Sequence, residues 1–242
     1  APWFRSRPVL LKGRTRMPDK REPQFHRGRA WIELDRDALR HNVGVLQKLL
    51  PSGCELMPAV KANAYGHGAV LISRELSRLG IKAFCVATVQ EGVELRENGI
   101  AGEILILGYT HPKLFPLLVQ YDLTQTVIDL SYAEALDKYG KKVKVHIAVD
   151  TGMRRLGEPC ENIDNICKMF SLHNLQIEGL YTHLCADDTD SPADKAFTME
   201  QERAFLKVVS QLGERGFGSP KTHVLASYGL INYPKFGGDY AR

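Results

Sequence analysis

Glu55-Leu56-Met57-Pro58-Ala59-Val60-Lys61-Ala62-Asn63-Ala64-Tyr65-Gly66-His67-Gly68 is the stretch on which the architecture turns. Residues 55 to 60 have the short, apolar character of a buried strand, and Lys61 follows at its C-terminal end. Parallel α/β barrels gather their chemistry at that end of their strands. A lysine there can condense with an aldehyde as a Schiff base, provided burial or neighbours keep some of its amine neutral. A lone lysine after a strand is ordinarily just solvated, so its surroundings decide what it does.

Outward from this stretch, short apolar strands alternate with amphipathic helices. Further strands are expected at residues 83 to 88, 103 to 107, 124 to 128, 142 to 149, 176 to 181 and 222 to 225. Their Val, Ile and Leu content suits strands buried on both faces. Residues 37 to 50 predict a helix with Leu39, Val43, Leu46 and Leu50 on one stripe. Thr88-Val89-Gln90-Glu91 and Ser131-Tyr132-Ala133-Glu134 fit the capping box, and Gly99 and Gly213 sit where helices should stop. The alternation predicts a TIM-like (β/α)8 barrel. Seven strands are found, and residues 235 to 242 fall where an eighth should begin. A barrel left at seven would expose two edges, so the natural polypeptide is expected to continue.

The 242 residues are 44% hydrophobic and 25% charged, enough for a full-sized core. The net charge of +4 is unevenly spread. Residues 1–29 carry nine Lys/Arg against Asp19 and Glu22, a net +7, which leaves −3 for residues 30–242. The first segment reads as a basic linker or tail, and the slightly acidic body offers no nucleic-acid-binding face. Five cysteines without a C-x-x-C pair read as free thiols in a reducing cytosol. No run of about 18 apolar residues spans a membrane. His183 with Asp187 and Asp188 is explained by a solvated acidic loop, so no metal site is expected.

The decapeptide from Ala59 to Gly68 resembles the pyridoxal phosphate attachment motif of alanine racemases. The resemblance covers residues 30–242. Ala30-Trp31-Ile32-Glu33-Leu34-Asp35, followed by Ala38-Leu39-Arg40-His41-Asn42, is similar to the family's opening. Asp150-Thr151-Gly152-Met153-Arg154-Arg155-Leu156-Gly157 resembles its D-T-G-M-x-R-x-G motif after strand five. Gly179-Leu180-Tyr181-Thr182-His183-Leu184 resembles the sixth-strand histidine region. His223 with Ala226-Ser227-Tyr228-Gly229 resembles the H-x-x-N-S segment after strand seven.

The resemblance implies roles. Lys61 would hold the cofactor and act as base on one face of the substrate α-carbon. Tyr65, Ser227 and the backbone donors around Tyr228 and Gly229 would hold its phosphate. Arg155 would reach the cofactor's phenolic oxygen and the substrate carboxylate, and His183 would lie beside the ring. Arg242 would donate a hydrogen bond to the pyridine nitrogen without giving up a proton, leaving the ring a weaker electron sink. His223 would orient that arginine.

Three departures from the family stand out. Ala148 occupies the strand-five position of a carbamylated lysine, and Ala226 replaces the asparagine before the phosphate serine. The family's C-terminal β-domain, whose tyrosine is the second base delivered across a dimer interface, is absent, so these residues alone are expected to be nearly inactive. The basic lead-in at residues 14–21 resembles the membrane-anchored serine/alanine racemases of vancomycin resistance. It implies a cytoplasmic protein near the inner face of the membrane, tethered through a preceding domain and supplying D-alanine or D-serine for cell-wall precursors. A homodimer is implied for the complete protein. A single-domain, non-catalytic pyridoxal phosphate carrier is the competing class, since it shares the barrel and the lysine.

Overall fold

The structure, a computed structural model, describes residues 32–186 and 191–242. The basic segment 1–29, the opening residues Ala30 and Trp31, and Asp187 with Asp188 lie outside the described residues. Leu34–Arg242 forms one compact unit.

Eight strands share one direction: β1 Glu55–Leu56, β2 Ala83–Val86, β3 Glu103–Ile106, β4 Thr124–Val127, β5 Val143–Asp150, β6 Leu175–Tyr181, β7 Lys221–His223 and β8 Tyr240–Ala241. Helix α1 (Arg36–Leu49) precedes β1, and among the described residues an α-helix follows each of β1 to β7. These are α2 Ala69–Arg78, α3 Val89–Glu97, α4 Phe115–Gln120, α5 Leu130–Lys138, α6 Ile163–Phe170, α7 Pro192–Glu214 and α8 Ser227–Asn232. A further two-residue strand, Glu158–Pro159, pairs with the end of β5.

The strands run in ladder from β2 to β7, and β1 pairs with β8 in the register Glu55↔Tyr240. Single bridges Ala59↔Cys85 and Leu225↔Ala241 tie the two sheets into a ring. The expectation of two open edges is therefore corrected: Tyr240 and Ala241 already form an eighth strand. Their backbone accepts from Met57 N–H at 2.8 Å, and Arg242 N–H donates to Leu225 O at 2.9 Å. β1 is shorter than its apolar run because Pro58 has no N–H to continue the ladder, though its carbonyl accepts from Cys85 N–H at 2.9 Å.

Strand periodicity divides the residues between two compartments. Phe84, Val86, Ile104, Ile106, Val145 and Ile147 join the main core with the helices. Met57, Ala83, Cys85, Leu105 and Tyr240 form a second cluster inside the ring. Two helix-end expectations change. Asp129, not Ser131, caps α5 by accepting from Tyr132 N–H, because α5 begins at Leu130. α7 runs through Gly213 to Glu214, and Gly216, whose φ of +81° suits glycine, follows the Arg215 cap. Thr88 does cap α3 at 3.3 Å from Glu91 N, and Gly99 follows its end.

Candidate active site

The lysine stretch adopts an unusual backbone. Ala62, Asn63, Ala64 and Tyr65 have φ between 51° and 54°, one turn of left-handed helix. Such a turn costs L-residues roughly 1–2 kcal/mol each, so surrounding bonds must hold it. The Glu91 carboxylate does this by accepting from Ala62 N–H at 2.8 Å and from Ala87 N–H at 2.7 Å. Asn63 Oδ1 accepts from Ala69 N–H at 2.8 Å and so joins the turn to α2. The result places Lys61 and Tyr65 on one cavity, with the ammonium 6.0 Å from the tyrosine ring centroid.

That cavity, about 710 Å³, opens at the C-terminal ends of the strands. Lys61, Tyr65, Arg155, His183, Ser227 and Arg242 all line it. Three of these are cations. Asp150 also lines it, but its Oδ1 accepts from Gly152 and Arg154 N–H within its own turn. Burial, then Arg242, Arg155 and Lys61, pull the His183 pKa down to about 4, so this imidazole is neutral at pH 7. The cavity is therefore positively charged and matched to anionic ligands.

Of the residues expected at the site, His223, Tyr228 and Gly229 do not line the cavity. His223 is fully buried behind Arg242, because β7 turns it to the inside of the ring. Gly229 is buried within α8, where a Cβ would press on Leu184 and Leu225 at 3.3 Å. Ala226 caps α8 without any side-chain bond, the contact an asparagine would have offered. Ala148 is buried on the wall of the same cavity that Arg155 lines.

Arg242 is enclosed by backbone and ring partners. It donates to Thr182 O at 2.8 Å and to His223 O at 3.2 Å, and a guanidinium N–H also meets His223 Nδ1. Its guanidinium lies 4.5 Å from the Tyr181 ring centroid. Burial lowers its pKa, yet a guanidinium stays charged at neutral pH.

Behind it runs a polar column through the ring. His223 Nε2 and His146 Nδ1 are 2.9 Å apart. His146 Nε2 and Glu103 Oε1 are also 2.9 Å apart, with the ring N–H turned off the line between them. The other Glu103 oxygen accepts from the Tyr240 hydroxyl at 2.8 Å, and Lys221 donates to that hydroxyl at 2.5 Å. Glu103, His146 and Tyr240 were given no role from sequence, Glu91 was read only as part of a capping box and Tyr181 only within the sixth-strand motif. The available signal was a charged or imidazole residue on alternate positions of otherwise apolar strands.

The description "Alanine racemase, N-terminal domain" matches residues 34–242. An amino-acid racemase of Enterococcus faecalis is 42% identical over 215 residues, which cover 89% of this chain and 30% of that protein. A serine/alanine racemase of Enterococcus gallinarum is 39% identical, with 88% and 30% covered. Among solved structures, the alanine racemase of Clostridium difficile 630 superposes with a TM-score of 0.79 at 32% identity, covering 85% of this chain and 55% of that one. The chain thus spans about a third to about half the length of these relatives. With the match running from Leu34 to Arg242 and a ring that carries its lysine turn at one mouth, the chain belongs to the alanine racemase N-terminal domain family.

Proposed function

We propose that this barrel is the cofactor-binding half of a pyridoxal phosphate-dependent racemase acting on alanine or serine. The single observation that carries the reading is the positively charged cavity that gathers Lys61, Arg155, His183, Ser227 and Arg242. A dianionic phosphate and an amino-acid carboxylate are the ligands such a cavity favours. Relatives named alanine racemase and serine/alanine racemase add support for the substrate class.

The donor set fits pyridoxal phosphate. When bound, that group would supply a carbonyl for amines to condense with and a conjugated ring that spreads charge from the α-carbon. Lys61 would hold it, and the freed amine would take or return a proton at one face of the α-carbon. Tyr65 and Ser227 would hold the phosphate, with backbone donors at Tyr228 and Gly229. Arg155 would orient the substrate carboxylate, neutral His183 would pack on the ring, and Arg242 would donate to the ring nitrogen while keeping its proton. Alanine and serine differ by one hydroxyl, which an apolar wall discriminates weakly. Racemisation also needs a base on the opposite face, which we assign to the family's further domain and dimer partner. We read residues 1–29 as a linker beside a membrane; among the described residues no helix is long and apolar enough to cross one.

The test is an absorbance spectrum of the purified chain with pyridoxal phosphate, beside Lys61→Ala. A visible band in the wild type that the variant lacks supports the reading. Equal spectra from two folded proteins overturn it.

A further inference from the structure

We propose that Glu103 and His146, which do not line the cavity, are positioning residues that hold Arg242 as a fixed donor: a one-way pair of hydrogen bonds runs from Arg242 through His223 to His146, and the adjacent Glu103 carboxylate fixes its direction. The inference rests on the reading above only in what Arg242 points toward. The chain itself follows from donor and acceptor chemistry.

A guanidinium has N–H donors and no acceptor. Arg242 meets His223 at Nδ1, so that nitrogen must be bare and the His223 proton must sit on Nε2. Nε2 then donates to His146 Nδ1 at 2.9 Å, which leaves the His146 proton on its own Nε2. That nitrogen lies 2.9 Å from Glu103 Oε1 with its N–H off the line, so the acceptor-only carboxylate closes this arm by charge, favouring the proton on the nearer nitrogen. From the other side Lys221 donates to the Tyr240 hydroxyl, and Tyr240 donates to Glu103 Oε2. Both arms end on Glu103, and neither can run backwards, because each begins at a cation with nothing to accept.

The fold makes room for this column. Both imidazoles are fully buried, and a Cβ at Gly179 would fall 2.5 Å from three atoms of the His146 ring. The β5–β6 register shifts between Val145 and His146, which re-aims the strand at that residue. Apolar side chains would fill the ring without desolvating polar groups, so the column is not there for packing. An imidazole can carry its proton on either nitrogen, and its partner decides which. Without the carboxylate, His223 could place a proton on Nδ1, donor against donor, and displace Arg242.

The experiment is ¹⁵N NMR of histidine-labelled chain without cofactor at pH 7, with pyridoxal phosphate affinity measured separately by absorbance. The wild type should show both His146 and His223 protonated on Nε2 and bare on Nδ1. A proton on Nδ1 of either overturns the proposal, and this result needs no variant. In Glu103→Gln the amide oxygen should turn to Tyr240 and Lys221 and its NH2 to His146, reversing part of the chain. Expected are mixed tautomers at both histidines and about tenfold weaker affinity, the ratio for roughly 1.4 kcal/mol of one weakened buried bond. Unchanged tautomers and affinity with only a lower melting temperature mean a structural role and overturn the proposal. A wild type with the expected tautomers that takes up no pyridoxal phosphate would sink the functional reading and leave the chain of bonds standing.

Discussion

Glu91 is the residue whose loss should do most to the lysine turn. Its two carboxylate oxygens accept from Ala62 N–H at 2.8 Å and Ala87 N–H at 2.7 Å, joining the residue after Lys61 to the end of β2. In Glu91→Ala both donors lose a charged acceptor. The Ala62 donor is exposed and water can replace most of that bond, whereas Ala87 is only partly accessible. A hydrogen bond to a charged group contributes about 1.5–3 kcal/mol, so the loss should be about 2–3 kcal/mol, weighted to Ala87. Four residues held in a left-handed turn at roughly 1–2 kcal/mol each give the segment a strong drive to relax once released. For a domain of this size about 2–4 °C is lost per kcal/mol, so circular dichroism should show a melting temperature about 5–10 °C lower. Pyridoxal phosphate uptake at Lys61, read by absorbance, should fall by a larger factor than stability alone predicts. Glu91→Gln keeps one acceptor oxygen and should recover about half of the stability. If Glu91→Ala melts within about 1 °C of wild type and takes up cofactor normally, the carboxylate does not hold the turn and the reasoning fails.

Other outcomes follow from single contacts. Gly179→Ala sets a methyl against the His146 ring and should cost about 2–5 kcal/mol by urea denaturation, from overpacking plus a broken buried bond. A loss under about 0.5 kcal/mol would mean His146 has room to move. Arg96 donates to the carbonyls of Ile100, Gly102, Tyr121 and Asp122 at 2.8–2.9 Å, fastening the end of α3 to the turns before β3 and β4. Arg96→Ala should cost about 3 kcal/mol, and Arg96→Lys should recover less than half, since an ammonium cannot reach four carbonyls in a plane; full rescue by lysine would refute the fork geometry. His183 titrates near 4 in the fold and near 6.5 unfolded, so the unfolded chain binds more protons between those values. Stability should therefore be full above about pH 6.5 and decline as pH falls to about 4, by about 3 kcal/mol at most. His183→Gln should flatten part of that slope in urea titrations at pH 7 and pH 5; an identical slope would show the histidine to be solvated.

Local pattern made much of this protein legible. Strand and helix order follow from hydrophobic periodicity, since a strand buried on both faces and a helix with one apolar stripe leave different signatures over a few residues. The order of the motifs around the lysine was carried by their resemblance to the alanine racemases and not by periodicity; Lys61, Tyr65, Arg155, His183, Ser227 and Arg242 line one cavity in the fold. Helix ends were less secure. Asp129 outcompetes Ser131 as a cap because one residue of shift moves the side chain out of reach of the free backbone donors, and only the packed helix decides that register.

Closure of the ring was decided by tertiary structure. Tyr240 and Ala241 carry too short an apolar pattern to register as a strand, and they become one by pairing with Glu55 and Leu56, far away in sequence. The polar column has the same origin. Glu103 and Tyr240 are 137 residues apart, and His146 and His223 are 77 apart, so no window of sequence contains both partners. Each looks alone like a stray polar residue in an apolar strand, because burial and hydrogen-bond partners are properties of the closed ring. The sequence by itself determined which elements form and where the lysine sits. Only the folded ring decided which polar side chains meet inside it, since donors and acceptors pair through space and not along the chain.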